Sequence, residues 1–163
     1  MFSKAEIERF EDEVIRGGPV ALPGVMALLT KLNSEHASNW TIVTSATAFY
    51  APRALEQCGI PLPTAGIVTS NDVQHGKPHP EPYLAGAKKC RREPQRCLVV
   101  EDAISGLKSG RNAGAKTLAV STSTSRTTIL NSDAKPDYIV SDLTRVTIQR
   151  VDEGIQVTID DEA

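Results

Sequence analysis

The apolar positions along the chain switch repeatedly between a helical and an extended period. Ile7, Phe10 and Val14 fall at helical spacing behind a Ser3/Glu6 capping box, and Gly17-Gly18 stops that helix. Pro23-Gly24 opens a second helix over VMALLTKLNSEH. WTIVTS (40–45) is a short, apolar, β-rich run that reads as a buried strand. A helix follows across FYAPRALEQC and ends at Gly59, and GIVTS (66–70) is the next strand. PYLAGAKKC (82–90) is helical, CLVVED (97–102) a strand, AISGLKSGRNAG a helix, KTLAVS (116–121) a strand and DYIV (137–140) another. At the end the pattern alternates. Val146 and Ile148, then Ile155, Val157 and Ile159, flank a turn at 152–154, which predicts a terminal β-hairpin. Short strands alternating with helices predict an α/β fold built on a parallel sheet.

Composition narrows what such a fold can do. With 163 residues the chain suits one domain and can bury a real core. Its 18 basic and 20 acidic residues give a net charge of −2, so neither nucleic acid nor an anionic membrane is expected as a partner. No apolar run approaches the ~18 residues needed to span a bilayer. The first 18 residues are charged throughout and lack the apolar stretch of a signal peptide. Cys58, Cys90 and Cys97 show no metal-type spacing and fit a reducing, cytoplasmic setting better than a disulfide framework. Aromatics make up only 4%, too few for a base-stacking surface.

The candidate chemistry gathers at the strand ends, where open parallel sheets place their ligands. The strand at 40–45 ends in Thr44-Ser45. The strand at 66–70 runs into Asp72 and then HGKPHPEPY, where Lys77 follows a glycine and precedes three prolines. Proline fixes φ and keeps the preceding residue extended, so Lys77 sits on a stiff arm. The strand at 97–102 ends in Glu101-Asp102. A hydroxyl and backbone N–H groups can hold phosphate oxygens, a lysine can neutralise phosphoryl charge, and adjacent carboxylates suit Mg²⁺. Each feature also has a plain structural reading. The arm can be a surface turn, Ser45 a helix N-cap, and Glu101-Asp102 a solvated cap.

TIVTSAT, NDVQHGKPHPEPY and VVEDAISGLKSGRNAG resemble motifs II, III and IV of the haloacid dehalogenase (HAD) superfamily of phosphatases. NDV-x-x-GKPHPEPYL is similar to the fungal glycerol-3-phosphatase and 2-deoxyglucose-6-phosphatase group, and GPVALPGVMALLTKLN resembles that group's return from cap domain to core. The resemblance implies a Rossmann-like three-layer core and a Mg²⁺-dependent phosphatase of a small phosphorylated sugar or polyol. It implies that Ser45, with Thr44 as the other candidate, binds the transferring phosphoryl group. It implies that Lys77 holds the phosphoryl oxygens and the nucleophile's carboxylate together. Asp102 would ligate Mg²⁺, with Glu101 a further ligand or the group that holds one in place.

One departure matters as much. The superfamily's nucleophile is the first Asp of a DxDGT-type motif ending the first core strand, and no D-x-D occurs in this sequence. Residues 1–18 are expected to be a remnant of the helical cap, 19–163 an incomplete core, and the chain a truncated, inactive form. The alternatives are a non-catalytic phosphate- or metal-binding relative and a purely structural fragment. The expected sheet order is 66–70, 40–45, a gap or rearranged closure, 97–101, 116–121, with strands 40–45 and 97–101 in the same sheet.

Overall fold

The computed structural model describes residues 3–152 and 154–161. The element order is α1 (Lys4–Arg16), α2 (Val25–His36), β1 (Ile42–Val43), α3 (Ala51–Gln57), β2 (Ile67–Val68), α4 (Glu81–Lys89), β3 (Leu98–Glu101), α5 (Ile104–Asn112), β4 (Lys116–Val120), α6 (Arg126–Leu130), β5 (Tyr138–Val140), β6 (Val146–Val151) and β7 (Gly154–Ile159). Every expected helix and strand is present, and the strands are shorter than the apolar runs that announced them. The capping box at Ser3 forms, with Ser3 N–H donating to Glu6 at 2.7 Å and Glu6 N–H donating to Ser3 Oγ at 3.3 Å.

The core is built around β3, β4 and β5, which pair in parallel in that order. Four of the five residues of β4 are buried in succession, the signature of a strand covered on both faces. On one face Leu107 of α5, Ala119, Ile129 of α6 and Ile139 form a cluster. On the other, Leu118, Val120, Val140 and Val146 pack with Leu28 of α2 and Val157 of the hairpin. Helices, sheet, and helix plus hairpin make three layers. Gly24 lets α2 lie against the turn at Leu143–Arg145. Its φ is +82°, and a Cβ there would stand 2.2 Å from the Leu143 carbonyl carbon. The terminal hairpin is antiparallel, with Ile148 opposite Val157.

The strand neighbours are those expected, but the single sheet is not. β1 pairs in parallel with β2 through Ile42–Ile67 and Val43–Val68, and among the described residues no further strand joins this pair. Strands 42–43 and 98–101 therefore lie in different sheets, which corrects the expectation that they share one. The physical reason is that no strand among the described residues satisfies the facing edges of β1 and β3, so a cleft separates them.

The N-terminal helix also departs from its pattern. Its apolar stripe does not enter the core, and Phe10 is 66% exposed. What α1 buries is Glu11, whose carboxylate accepts from Thr47 Oγ1 at 2.6 Å and from Thr47 N–H at 3.3 Å. Among the described residues no helix is long and apolar enough to cross a membrane.

Candidate active site

The arm that carries Lys77 is held by more than its prolines. The Glu81 carboxylate, at the start of α4, turns back to accept from Gln74 N–H at 2.8 Å and His75 N–H at 3.0 Å. These bonds hold the Glu81 carboxyl below the usual carboxylate range, the Gln74 N–H contributing most. From the other side, buried Ser109 of α5 donates its hydroxyl to His79 O at 2.6 Å. Asn112 Nδ2 donates to Pro78 O at 3.2 Å. The two carbonyls that follow the lysine, at Pro78 and His79, thus rest on α5, and a free surface turn does not fit this geometry.

So positioned, the Lys77 ammonium spans the two sheets. Nζ donates to Val43 O at the end of β1, at 3.0 Å, and to Glu101 Oε1 at the end of β3. The side chains of this ion pair are 10% and 8% exposed. Tyr83 Oη donates to the same Glu101 oxygen at 2.5 Å, and Ala103 N–H reaches Oε2 at 3.4 Å. Burial, reinforced by the Glu101 charge, pushes the Tyr83 phenol far above its ordinary value, so it stays a donor. Glu101 can fold down here only because residue 106 is glycine: a Cβ at Gly106 would lie 2.1 Å from Glu101 Oε1. Both Glu101 oxygens are therefore engaged, and the carboxylate is not the solvated cap it could have been.

Thr44, Ser45, Lys77, Glu101 and Asp102 all line one cleft of about 480 Å³, together with Val43, Val100 and Leu143. Thr44 Oγ1 accepts from Ala46 N–H at 3.1 Å, which ties its hydroxyl to its own turn. Ser45 is exposed, and α3 begins only at Ala51 with Tyr50 as its cap, so Ser45 is not that helix's N-cap. Asp102 is half-buried, and its carboxylate has no hydrogen-bond partner among the described residues; only its backbone carbonyl is used, by Ser123 Oγ at 3.4 Å. It is the carboxylate available to a cation. Asp72 lies outside this group and caps its own turn, accepting from Thr69 N–H and Oγ1 at 2.7 Å each.

Tyr83 and Gly106 were not singled out from the sequence. Tyr83 closes the HPEPY stretch, in the first turn of α4. Gly106 and Gly110 sit four apart on one face of α5, a spacing that signals close approach to a strand. The arrangement as a whole is a cationic group and a free hydroxyl on one wall, and a carboxylate open to a cation on the other. Such a set can grip and polarise a phosphoryl group.

The family described as haloacid dehalogenase-like hydrolase matches residues 3–120. Hexitol phosphatase A of Escherichia coli is 38% identical over 154 residues, covering 94% of this chain and 67% of that protein. Glycerol-1-phosphate phosphohydrolase 2 of Saccharomyces cerevisiae is 36% identical over 110 residues, covering 63% of this chain and 44% of the relative. 2-Deoxyglucose-6-phosphate phosphatase 2 of the same yeast is 31% identical over 157 residues, covering 85% and 62%. The chain thus spans between under half and about two thirds of these relatives' length. The yeast glycerol enzyme is named for the 1-phosphate, whereas the resemblance implied the 3-phosphate. The crystal structure of a hydrolase from Pseudomonas syringae superposes with a TM-score of 0.72 at 28% identity, covering 88% of this chain and 67% of that one. With three-layer packing, a cleft at the strand ends and a family match over residues 3–120, the chain belongs to the haloacid dehalogenase-like hydrolases.

Proposed function

We propose that this chain carries the phosphate-gripping and cation-holding part of a Mg²⁺-dependent phosphatase of small sugar or polyol phosphates. The observation that carries the reading is the convergence of Thr44, Ser45, Lys77, Glu101 and Asp102 on one cleft. In it, Ser45 Oγ and nearby backbone N–H groups hold phosphoryl oxygens, and Lys77 neutralises their charge. Asp102 offers the hard oxygen donor that Mg²⁺ prefers, and its carboxylate has the freedom to take that role. Bound there, Mg²⁺ would offset the charge of the phosphate. Of the two roles expected for Glu101, ligand or holder, the geometry favours holder: it fixes Lys77 and accepts from Tyr83. The substrate class rests on the names of the relatives, which act on hexitol, glycerol and deoxyglucose phosphates.

The missing D-x-D favours a second reading, in which these 163 residues bind phosphate without cleaving it. Both readings require the cleft to hold phosphate. Thermal unfolding of the chain with inorganic phosphate plus Mg²⁺, and with glycerol-1-phosphate plus Mg²⁺, tests that shared requirement. A ligand that binds only the folded state raises Tm with concentration. A rise is expected for the native chain, reduced in Ser45→Ala and lost in Asp102→Asn. No rise, or equal rises in all three, would overturn both readings and leave a structural role.

A further inference from the structure

The arm bears a second set of metal-ligating side chains, on its outer side. The ligand atoms of His75, His79 and Glu81 all lie within 4.8 Å of one another. His75 Nδ1 is 2.9 Å from Glu81 Oε2, and His79 Nδ1 is 3.9 Å from the same oxygen. The two imidazole rings face each other at 4.6 Å between centroids. None of the three residues lines the cleft. We propose that His75, His79 and Glu81 form a surface site for one divalent transition-metal ion of the Zn²⁺ class, separate from the phosphate cleft.

The chemistry of the donors selects the ion. Two imidazole nitrogens and one carboxylate oxygen suit Zn²⁺, Ni²⁺ or Cu²⁺ and poorly suit Mg²⁺, which prefers oxygen donors and retains its waters. Three protein ligands leave the remaining positions to water, and the exposure of both rings lets water in.

Preorganisation comes from the backbone. Glu81 is pinned by Gln74 N–H and His75 N–H, and the His79 carbonyl by Ser109. The three donors already lie within 4.8 Å of one another, close enough to share one ion. A carboxylate can only accept, so the proton between His75 and Glu81 sits on His75 Nδ1. Coordination through Nδ1 requires the ring to carry its proton on Nε2 instead. His79 Nδ1 already accepts from Glu81 N–H at 3.2 Å, so its lone pair is unprotonated and is released to the metal.

The probe is ZnCl₂ titrated by calorimetry into the 163-residue chain, with CoCl₂ absorption spectra as the second readout. One ion should bind with a dissociation constant in the micromolar range, undisturbed by a large excess of Mg²⁺. His75→Asn and His79→Gln, which keep hydrogen-bonding capacity at exposed positions, should each weaken binding at least tenfold while leaving the circular dichroism spectrum unchanged. Bound Co²⁺ should show visible d–d bands without the intense near-ultraviolet band of thiolate ligation. Affinity no better than millimolar would overturn the proposal. So would a thiolate band, or binding that survives His75→Asn/His79→Gln, since Cys58, Cys90 or Cys97 would then hold the ion.

Discussion

Lys77 and Glu101 form a buried ion pair that joins the arm after β2 to the end of β3, and the same lysine holds the last carbonyl of β1. One ammonium thus ties together two sheets that share no backbone hydrogen bond.

Breaking that tie should cost stability as well as binding. Removing one member of a buried pair leaves the other charge uncompensated, at about 3–5 kcal/mol. Lys77→Met and Glu101→Gln are each expected to lower the urea midpoint accordingly, and the double variant should lose less than the sum. The cycle requires all four proteins in parallel. Additive losses would mean that the pair is not coupled and that its members act through separate contacts.

The packing of Glu101 over α5 gives a second expectation. Gly106→Ala places a methyl where the Glu101 carboxylate lies, so the carboxylate must move. Overpacking of this kind costs about 1–3 kcal/mol. In a Glu101→Ala background the same glycine substitution should be nearly silent, because its collision partner is gone. Equal costs in both backgrounds would place the clash elsewhere.

Much of this was legible in the sequence, and the missing parts share a cause. Local rules place the caps, because Ser3 and Glu6 are three residues apart and Gly24 stands next to its own helix. Strand ends are legible because an apolar run stops where Thr44 or Glu101 begins. The Ser109 bond to His79 and the Tyr83 bond to Glu101 join residues 30 and 18 apart, and no periodicity encodes such pairs. The reading of Ile7, Phe10 and Val14 shows the same limit from the other side. Helical spacing predicts the helix correctly but does not say whether a surface exists for its stripe to cover. The division into two sheets escaped the sequence because pairing depends on a neighbour for each edge, which a strand's own residues do not specify.

The acid side of the stability profile should depend on Asp137. Burial raises its pKa, but the Lys116 ammonium at 2.7 Å and Thr117 N–H at 2.8 Å outweigh that and hold the carboxyl below its ordinary value of 3.8. A depressed folded-state pKa adds stability that is fully present above the unfolded value. It is lost as pH falls below that value through the folded one. Asp137→Asn should therefore cost about 1 kcal/mol at neutral pH, the pair being partly exposed. The deficit relative to the native chain should shrink below pH ~4. Urea midpoints at neutral pH and near pH 3 check it; a deficit that grows on acidification would reverse the sign.

Mg²⁺ should bind weakly to this chain. The ion wants six oxygens in near-ideal octahedral geometry. The cleft offers Asp102, while Glu101 is committed to Lys77 and Tyr83. Calorimetry without phosphate should give millimolar affinity or none, and Asp102→Asn should abolish what there is. Micromolar binding that persists in Asp102→Asn would locate the cation somewhere other than this cleft.

Catalysis provides the sharpest test, because gripping a phosphate and cleaving it need different groups. The superfamily's covalent step requires a carboxylate placed to attack phosphorus, with a second to move the proton. No D-x-D exists here, and among the described residues the carboxylates lining the cleft are Glu101, tied into its ion pair, and Asp102, which the proposed function assigns to the cation. Uncatalysed phosphate-monoester hydrolysis is among the slowest reactions known, so electrostatic polarisation without a nucleophile leaves a rate below detection. The 163-residue chain is expected to release no phosphate above buffer from glycerol-1-phosphate, glycerol-3-phosphate or 2-deoxyglucose-6-phosphate. A fusion that supplies a preceding cap and strand ending in DxDGT should show Mg²⁺-dependent turnover. In that fusion, Lys77→Ala and Asp102→Ala should each cost several orders of magnitude in kcat/KM. Ser45→Ala should cost less, because backbone N–H groups share its task. Robust turnover by the unfused chain, abolished by Lys77→Ala, would mean that one of its own side chains attacks phosphorus.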